Sequence, residues 1–238
     1  ISITEKDRLS LRYLYNSDDL DYTTYLTDIA ADPRSQALRH QNFFYGSYTR
    51  VFTPTLLTEF RFNYGNRINW TRSYGLGGGW PTKLGLKGVP DDAFPVFNVT
   101  GFQQLGNTAQ ERQQFPIQQF QWTDITTWIH GRNSFKFGFE IRPSYNYEMN
   151  RPLVSGNFTL SPLATGLPGN TATGYGLASL LLGTPTAFSA RTTEILDRST
   201  WYYAAFIQDD WNVHRDLTLN LGLRWETDTP IKDYSNRM

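Results

Sequence analysis

Three histidines, a few paired carboxylates and one glycine-rich segment are the parts of this 238-residue chain whose types and spacing suggest chemistry, and each falls short of a working constellation. His130 and His214 stand in short polar segments with turn character, and no His-x-x-x-His pair or Gly-x-Ser-x-Gly elbow accompanies them. Neither a zinc site nor a serine nucleophile is suggested. The chain has no cysteine, which removes thiolate ligands and a thiol nucleophile together. The pairs Asp18-Asp19, Asp91-Asp92 and Asp209-Asp210 are adjacent in sequence, and neighbours on a strand point to opposite faces, so Asp209 and Asp210 are not expected to converge. Solvated loop or rim carboxylates are the expectation, with calcium held in a loop as the lesser alternative. Gly75 to Pro81 lacks the Gly-Lys-Ser/Thr ending of a phosphate-cradling loop, and no helical pattern is expected after it. No catalytic residue, metal or cofactor is expected, and the chain is read as a non-enzyme.

Two other sets of residues invite a binding role. Glu59, Arg61, Lys136, Glu140, Arg142, Arg224 and Glu226 fall at alternate positions of strand-like runs, opposite apolar neighbours. On a sheet they would share one face, where they could pair across strands, line an aqueous path or contact a body filling a bore. Trp70, Trp80, Phe94 and Phe97 lie in a stretch expected to be a long loop after Asn66, where flat rings could stack on a ligand.

The elements that would carry these residues are strands. From Ser134 to Glu148, Phe135, Phe137, Phe139, Ile141, Pro143, Tyr145 and Tyr147 alternate with polar or small residues, and Leu217, Leu219, Leu221, Leu223 and Trp225 do so from Leu217 to Glu226. Period-2 alternation puts one apolar and one polar face on a strand. Similar runs surround Leu9 to Tyr15 and Leu56 to Tyr64, and Gln41–Phe52 and Ile117–His130 are strand-like with weaker alternation. Ala187 to Trp211 is read as one long strand, with a bulge around Asp197 to Thr200. That makes about seven strands.

Connections of two lengths alternate between them. Short turns are expected near 53–54, 130–133 and 213–216, and long loops near 16–39, 66–115 and 150–184, with a short helix in Gly174 to Gly183. An up-and-down barrel of a bacterial outer membrane has this layout, with periplasmic turns and extracellular loops. Seven strands are fewer than the eight or so of the smallest such barrel, so the chain, which begins at Ile1 without a leader pattern, is read as a piece of one larger β-barrel domain.

Composition agrees. Aromatic residues make up 16% of the chain, yet no run approaches the roughly 18 apolar residues of a spanning helix. Formal net charge is zero with no basic stripe, so no nucleic-acid partner is expected. A soluble carbohydrate-binding β-domain shares the composition but would have to bury its long apolar stripes.

The hairpin Ala205-Phe206-Ile207-Gln208-Asp209-Asp210-Trp211-Asn212-Val213 followed by Leu217-Thr218-Leu219-Asn220-Leu221-Gly222-Leu223-Arg224-Trp225-Glu226 resembles the TonB-dependent outer-membrane receptors. Glu5 to Leu9 with Leu11-Arg12-Tyr13, Thr53 to Leu56 leading to Phe60-Arg61, Gly131 to Gly138, and Ala178 to Gly183 are similar to its Oar-like branch. The resemblance implies a barrel of roughly 22 strands in outer-membrane lipid, a plug domain from the same full-length protein, and energised uptake through TonB acting on that plug. No plug or TonB-contacting segment is recognisable in this sequence, and neither is the small N-terminal sandwich common in the branch. A passive porin-like or adhesive barrel is the alternative.

Overall fold

The computed structural model describes residues 1–22, 28–30, 35–170 and 172–234. In chain order the strands are β1 (Asp7–Tyr22), β2 (Ser35–Thr53), β3 (Leu56–Ser73), β4 (Val96–Val99), β5 (Glu111–His130), β6 (Asn133–Arg151), β7 (Asn157–Leu160), β8 (Ala187–Ser189), β9 (Glu194–His214), β10 (Leu217–Asp228) and β11 (Lys232–Asp233). Two short helices, α1 (Trp80–Lys83) and α2 (Gly176–Leu181), lie between them.

Seven long strands form one antiparallel meander in the order β1-β2-β3-β5-β6-β9-β10. β11 pairs the β9 edge above β10, after a break at Thr229 to Ile231 that contains Pro230. Proline has no N–H to give a ladder, which accounts for the interruption.

The hairpin turns are tight. Thr53 pairs Leu56, His130 pairs Asn133 and His214 pairs Leu217, leaving two residues in each turn. Gly131 takes φ 60°, the conformation in which a residue without a Cβ carries no steric cost. The turns are also staggered. Leu56 lies opposite Trp128, two residues short of the next turn, and Asn133 lies opposite Trp211, three residues short of the turn after it. A sheet whose register slides steadily in one direction has tilted strands, as closure into a barrel requires.

The long strands run to 21 residues in β9, about twice the 9–11 that cross a bilayer. They therefore project well beyond the membrane, and three expectations need correction. The first long loop shrinks to 23–34, most of which (23–27 and 31–34) lies outside the described residues. β3 continues through Ser73, so Trp70 stands in a strand rather than a loop. The run from Ala187 is not one strand: β8 belongs to a second sheet, and β9 begins at Glu194 in unbroken register with β6 through Asp197 to Thr200, without a bulge.

That second sheet, β4-β7-β8, is built from the two long connections β3–β5 and β6–β9. β4 pairs β7 in parallel and β7 pairs β8 antiparallel. Most of the buried apolar side chains among the described residues are in this sheet or the connections beside it: Ala93, Val96, Val99, Val154 and Leu160. The long sheet leaves large apolar side chains open even on strands paired on both sides, with Ile207 51% and Phe139 42% exposed. α1 follows Gly79, so a helix does follow the glycine-rich segment, but it is a single turn of four residues.

Candidate functional site: the polar wall and the loop cap

Cross-strand partners share a face, so the register sorts the long sheet into two surfaces. One is apolar. Phe137, Ile207 and Leu223 stand side by side on β6, β9 and β10. Toward the loop end, Phe44, Phe62, Trp122, Phe120, Tyr145 and Trp201 follow one another across five strands with ring centroids 5.8 to 6.5 Å apart. Such a belt marks the interface of a membrane barrel. Carboxylates that interrupt this face include Asp7, 3.6 Å from Arg50 in the row of Phe137, Asp124, which accepts from Thr58 Oγ1 at 3.0 Å and Thr126 Oγ1 at 3.2 Å, and Asp209, beside Phe135 and Leu221. Asp210 points to the other face, where Gln208 Nε2 donates to it at 3.4 Å.

The other face gathers all seven charged residues singled out from the sequence. One row runs Arg61, Thr123, Glu140, Ala204, Glu226, and the next runs Glu59, Ile125, Gly138, Phe206, Arg224. Glu59 and Arg61 form a two-pronged pair at 2.8 and 2.9 Å along β3. Arg224 donates to Glu226 at 2.9 Å and to Tyr202 Oη at 2.9 Å, and the tyrosine hydroxyl donates in turn to Glu226. Glu140 lies 3.7 Å from Arg142 and 4.0 Å from Arg224, and accepts from Gln121 Nε2 at 2.8 Å. The Glu140–Arg224 contact crosses over β9, where the small side chain of Ala204 leaves room beneath it. Arg142 also lies over the Tyr202 ring, 4.5 Å from its centroid. Lys136 is on the same face, two rows nearer the turns than Glu140, and makes no ion pair among the described residues.

Sequence reasoning missed a second cluster on this face, toward the loop end. Arg112 reaches Glu148 at 2.8 Å, and Arg198 approaches the same carboxylate at 3.6 Å. Arg112 falls in a stretch expected to be loop, which hid it. Pairs this exposed contribute about 0–1 kcal/mol each, so the network matters more as a surface than as a source of stability.

The four aromatic candidates are already engaged. Trp70 donates its indole N–H to Glu111 at 3.3 Å, and the Arg72 guanidinium lies 4.7 Å from its ring centroid. Trp80 meets Phe94 edge-on, Phe94 meets Phe97 edge-on, and Phe97 stacks on Phe158 with centroids 5.4 Å apart. The last three are thus structural parts of the cap rather than an open platform.

The cap is fastened by buried polar side chains. Gln110, fully buried, accepts at Oε1 from the N–H groups of Val154 (2.6 Å) and Ser155 (3.3 Å) and donates from Nε2 to Phe94 O at 3.1 Å. Ser155 Oγ accepts from Ala93 N at 2.8 Å. Arg151 bridges Glu111 at 2.8 Å and Asp92 at 2.9 Å, tying loop to wall. Asp91 accepts from the N–H and hydroxyl of Thr82, both at 3.0 Å, so the Asp91-Asp92 pair serves the loop's own geometry.

A sheared antiparallel meander, aromatic-belted on one face and charged on the other, is the wall of a membrane barrel, and the sequence matches the outer membrane beta barrel domain over residues 1–238. The chain belongs to that family. It is a β-barrel segment of the bacterial outer membrane, and the soluble carbohydrate-binding alternative falls with that assignment. Among solved structures, the outer membrane transporter YddB from Escherichia coli has the same fold, with a TM-score of 0.54 at 11% identity, over 97% of this chain and 27% of that one. The chain therefore spans about a quarter of the length of that transporter. A search of curated proteins gave no match.

Proposed function

We propose that the chain is part of the wall of a TonB-dependent receptor of the Oar-like branch, serving energised uptake of a ligand and catalysing no reaction itself. In this reading the apolar face meets outer-membrane lipid, the two-residue turns are periplasmic, and the cap is extracellular. Glu59, Arg61, Lys136, Glu140, Arg142, Arg224 and Glu226 face a lumen that a plug domain from the same full-length protein fills, and TonB acts through that plug. The paired charges of the inner face carry the proposal, because a charged wall needs water or a polar body against it and lipid supplies neither. The likeness to an outer membrane transporter supports a transport role, and the sequence resemblance supports the finer assignment.

The test is conductance of the full-length protein in a planar bilayer. A plugged receptor stays closed in salt alone and conducts once mild denaturant loosens the plug, and it cross-links to the periplasmic domain of TonB. A steady open pore with no TonB cross-link makes the passive porin-like barrel the correct account.

A further inference from the structure

From Pro152 through Ala190 the sequence contains no Asp, Glu, Lys, Arg or His, although the stretch lies between Arg151 and Arg191 at the water-exposed loop end. Its apolar side chains are not all buried: Leu181 is 80% and Leu182 69% exposed. Beside them the cap holds a cavity of about 290 Å³. Leu84 and Leu86, from the turn after α1, line it together with Phe97 and Phe158. Leu160 and Leu180, from β7 and α2, line it too, with Gly183 and Pro185. For scale, an apolar cavity of about 150 Å³ admits a benzene ring. No charged side chain lines this one.

We propose that this cavity binds the alkyl chain of an amphiphilic ligand. Four leucines and two phenylalanines give shape-tolerant dispersion contact and no ionic anchor, which suits a run of methylenes. Gln110 and Ser155 fasten the two loops before any ligand arrives, so little ordering opposes binding. This site does not depend on energised import: it would serve equally in a passive or adhesive barrel.

The test uses the full-length protein in lipid nanodiscs, free of detergent, with a diazirine-bearing N-methyl decanamide as probe, a neutral headgroup that keeps Lys83 and Lys87 from contributing. Photolabelling should be saturable and map by mass spectrometry to residues 84–86 and 180–185. Competition by unlabelled N-methyl alkanamides should strengthen about fourfold per added methylene, from the roughly 0.8 kcal/mol each contributes on burial, and then level off when the cavity is full. Leu180→Trp, filling the cavity from α2, should weaken labelling at least tenfold, as should Leu86→Trp from the turn after α1. Leu163→Asp, on the exposed cap surface outside it, should leave labelling intact. Labelling confined to the lipid-facing strands, or unchanged in both tryptophan variants, overturns the site. So does an absence of labelling in a folded barrel, which would mean that another part of the full chain fills the cavity. Stronger competition by naphthalene than by any alkyl chain overturns the assignment of its occupant.

Discussion

The wall and the cap are two solutions to burying apolar surface within one chain. The wall leaves much of its apolar face open: Phe60, Phe139 and Ile207, on strands paired on both sides, are 38%, 42% and 51% exposed, and Leu217, Leu219, Leu221, Leu223 and Trp225 follow on the edge strand β10. The cap, made from the loops of the same sheet, packs Val96, Val99, Val154 and Leu160 into a small dry core and stitches it with Gln110, Ser155 and Ser179. The difference follows from the solvent each region meets. Lipid covers the wall's apolar face without help from the protein, whereas the cap stands in water and must supply its own interior. A leucine exposed on the wall is therefore equivalent to a leucine buried in the cap.

The largest expected effect tests that equivalence. Leu223, at the β10 end of the apolar row that it shares with Ile207 and Phe137, should cost about 2–4 kcal/mol when changed to Arg, the range for a cation at the midplane of a barrel's lipid face. Leu163 is about as exposed, at 77%, but sits in the cap, and Leu163→Arg should change stability by no more than about 0.5 kcal/mol. Urea titration of the full-length protein folded into lipid vesicles measures both. Equal shifts would show that the two surfaces meet the same solvent, and the comparison would break.

Next in size is the clamp of the cap. Gln110→Ala removes an acceptor from Val154 N and Ser155 N and a donor from Phe94 O, and a buried backbone group left without a partner costs about 1–3 kcal/mol. Because the wall's ladders do not pass through Gln110's side chain, the loss should be local. Protease cleavage between 74 and 110 or between 152 and 186 should quicken, while the barrel still folds and resists extraction. Collapse of barrel assembly would mean that wall and cap form one cooperative unit.

The wall was legible in the sequence for the same reason that the cap was not. From Leu217 to Glu226 two different solvents imprint themselves on alternate residues, and both the strand and the faces of Arg224 and Glu226 can be read directly. Beyond Asn66 the same strand enters water on both sides, the alternation fades, and β3 up to Ser73 reads as loop. The cap sheet joins Val96 to Asn157 across two loops and Phe158 to Phe188 within one, pairings of four residues or fewer between segments far apart in sequence, too short for any period to show. Its capture of Phe188 is also why the run from Ala187 divides into β8 and β9. The charged residues were identifiable by parity alone. Their wiring was not, because the Glu140–Arg224 bridge depends on the small Ala204 of the strand between them.

The smallest effect on stability should come from that wiring, and it makes the sharpest test of what the polar face is for. Arg224→Gln removes the contacts to Glu226, Tyr202 and Glu140, yet the guanidinium is open to solvent and its loss should leave the urea midpoint where it was. What should change is the field along the inner surface. Glu140 and Glu226 then lack a shared counter-charge, and in the denaturant-opened barrel the reversal potential across a KCl gradient should move toward cation preference. Glu59→Gln, which frees Arg61 instead, should move it the opposite way. Opposite shifts from two substitutions that leave stability untouched would tie the polar face to the conducting path. If neither substitution moves the potential, the network is shielded from the bore and the face serves only to hold the strands in register.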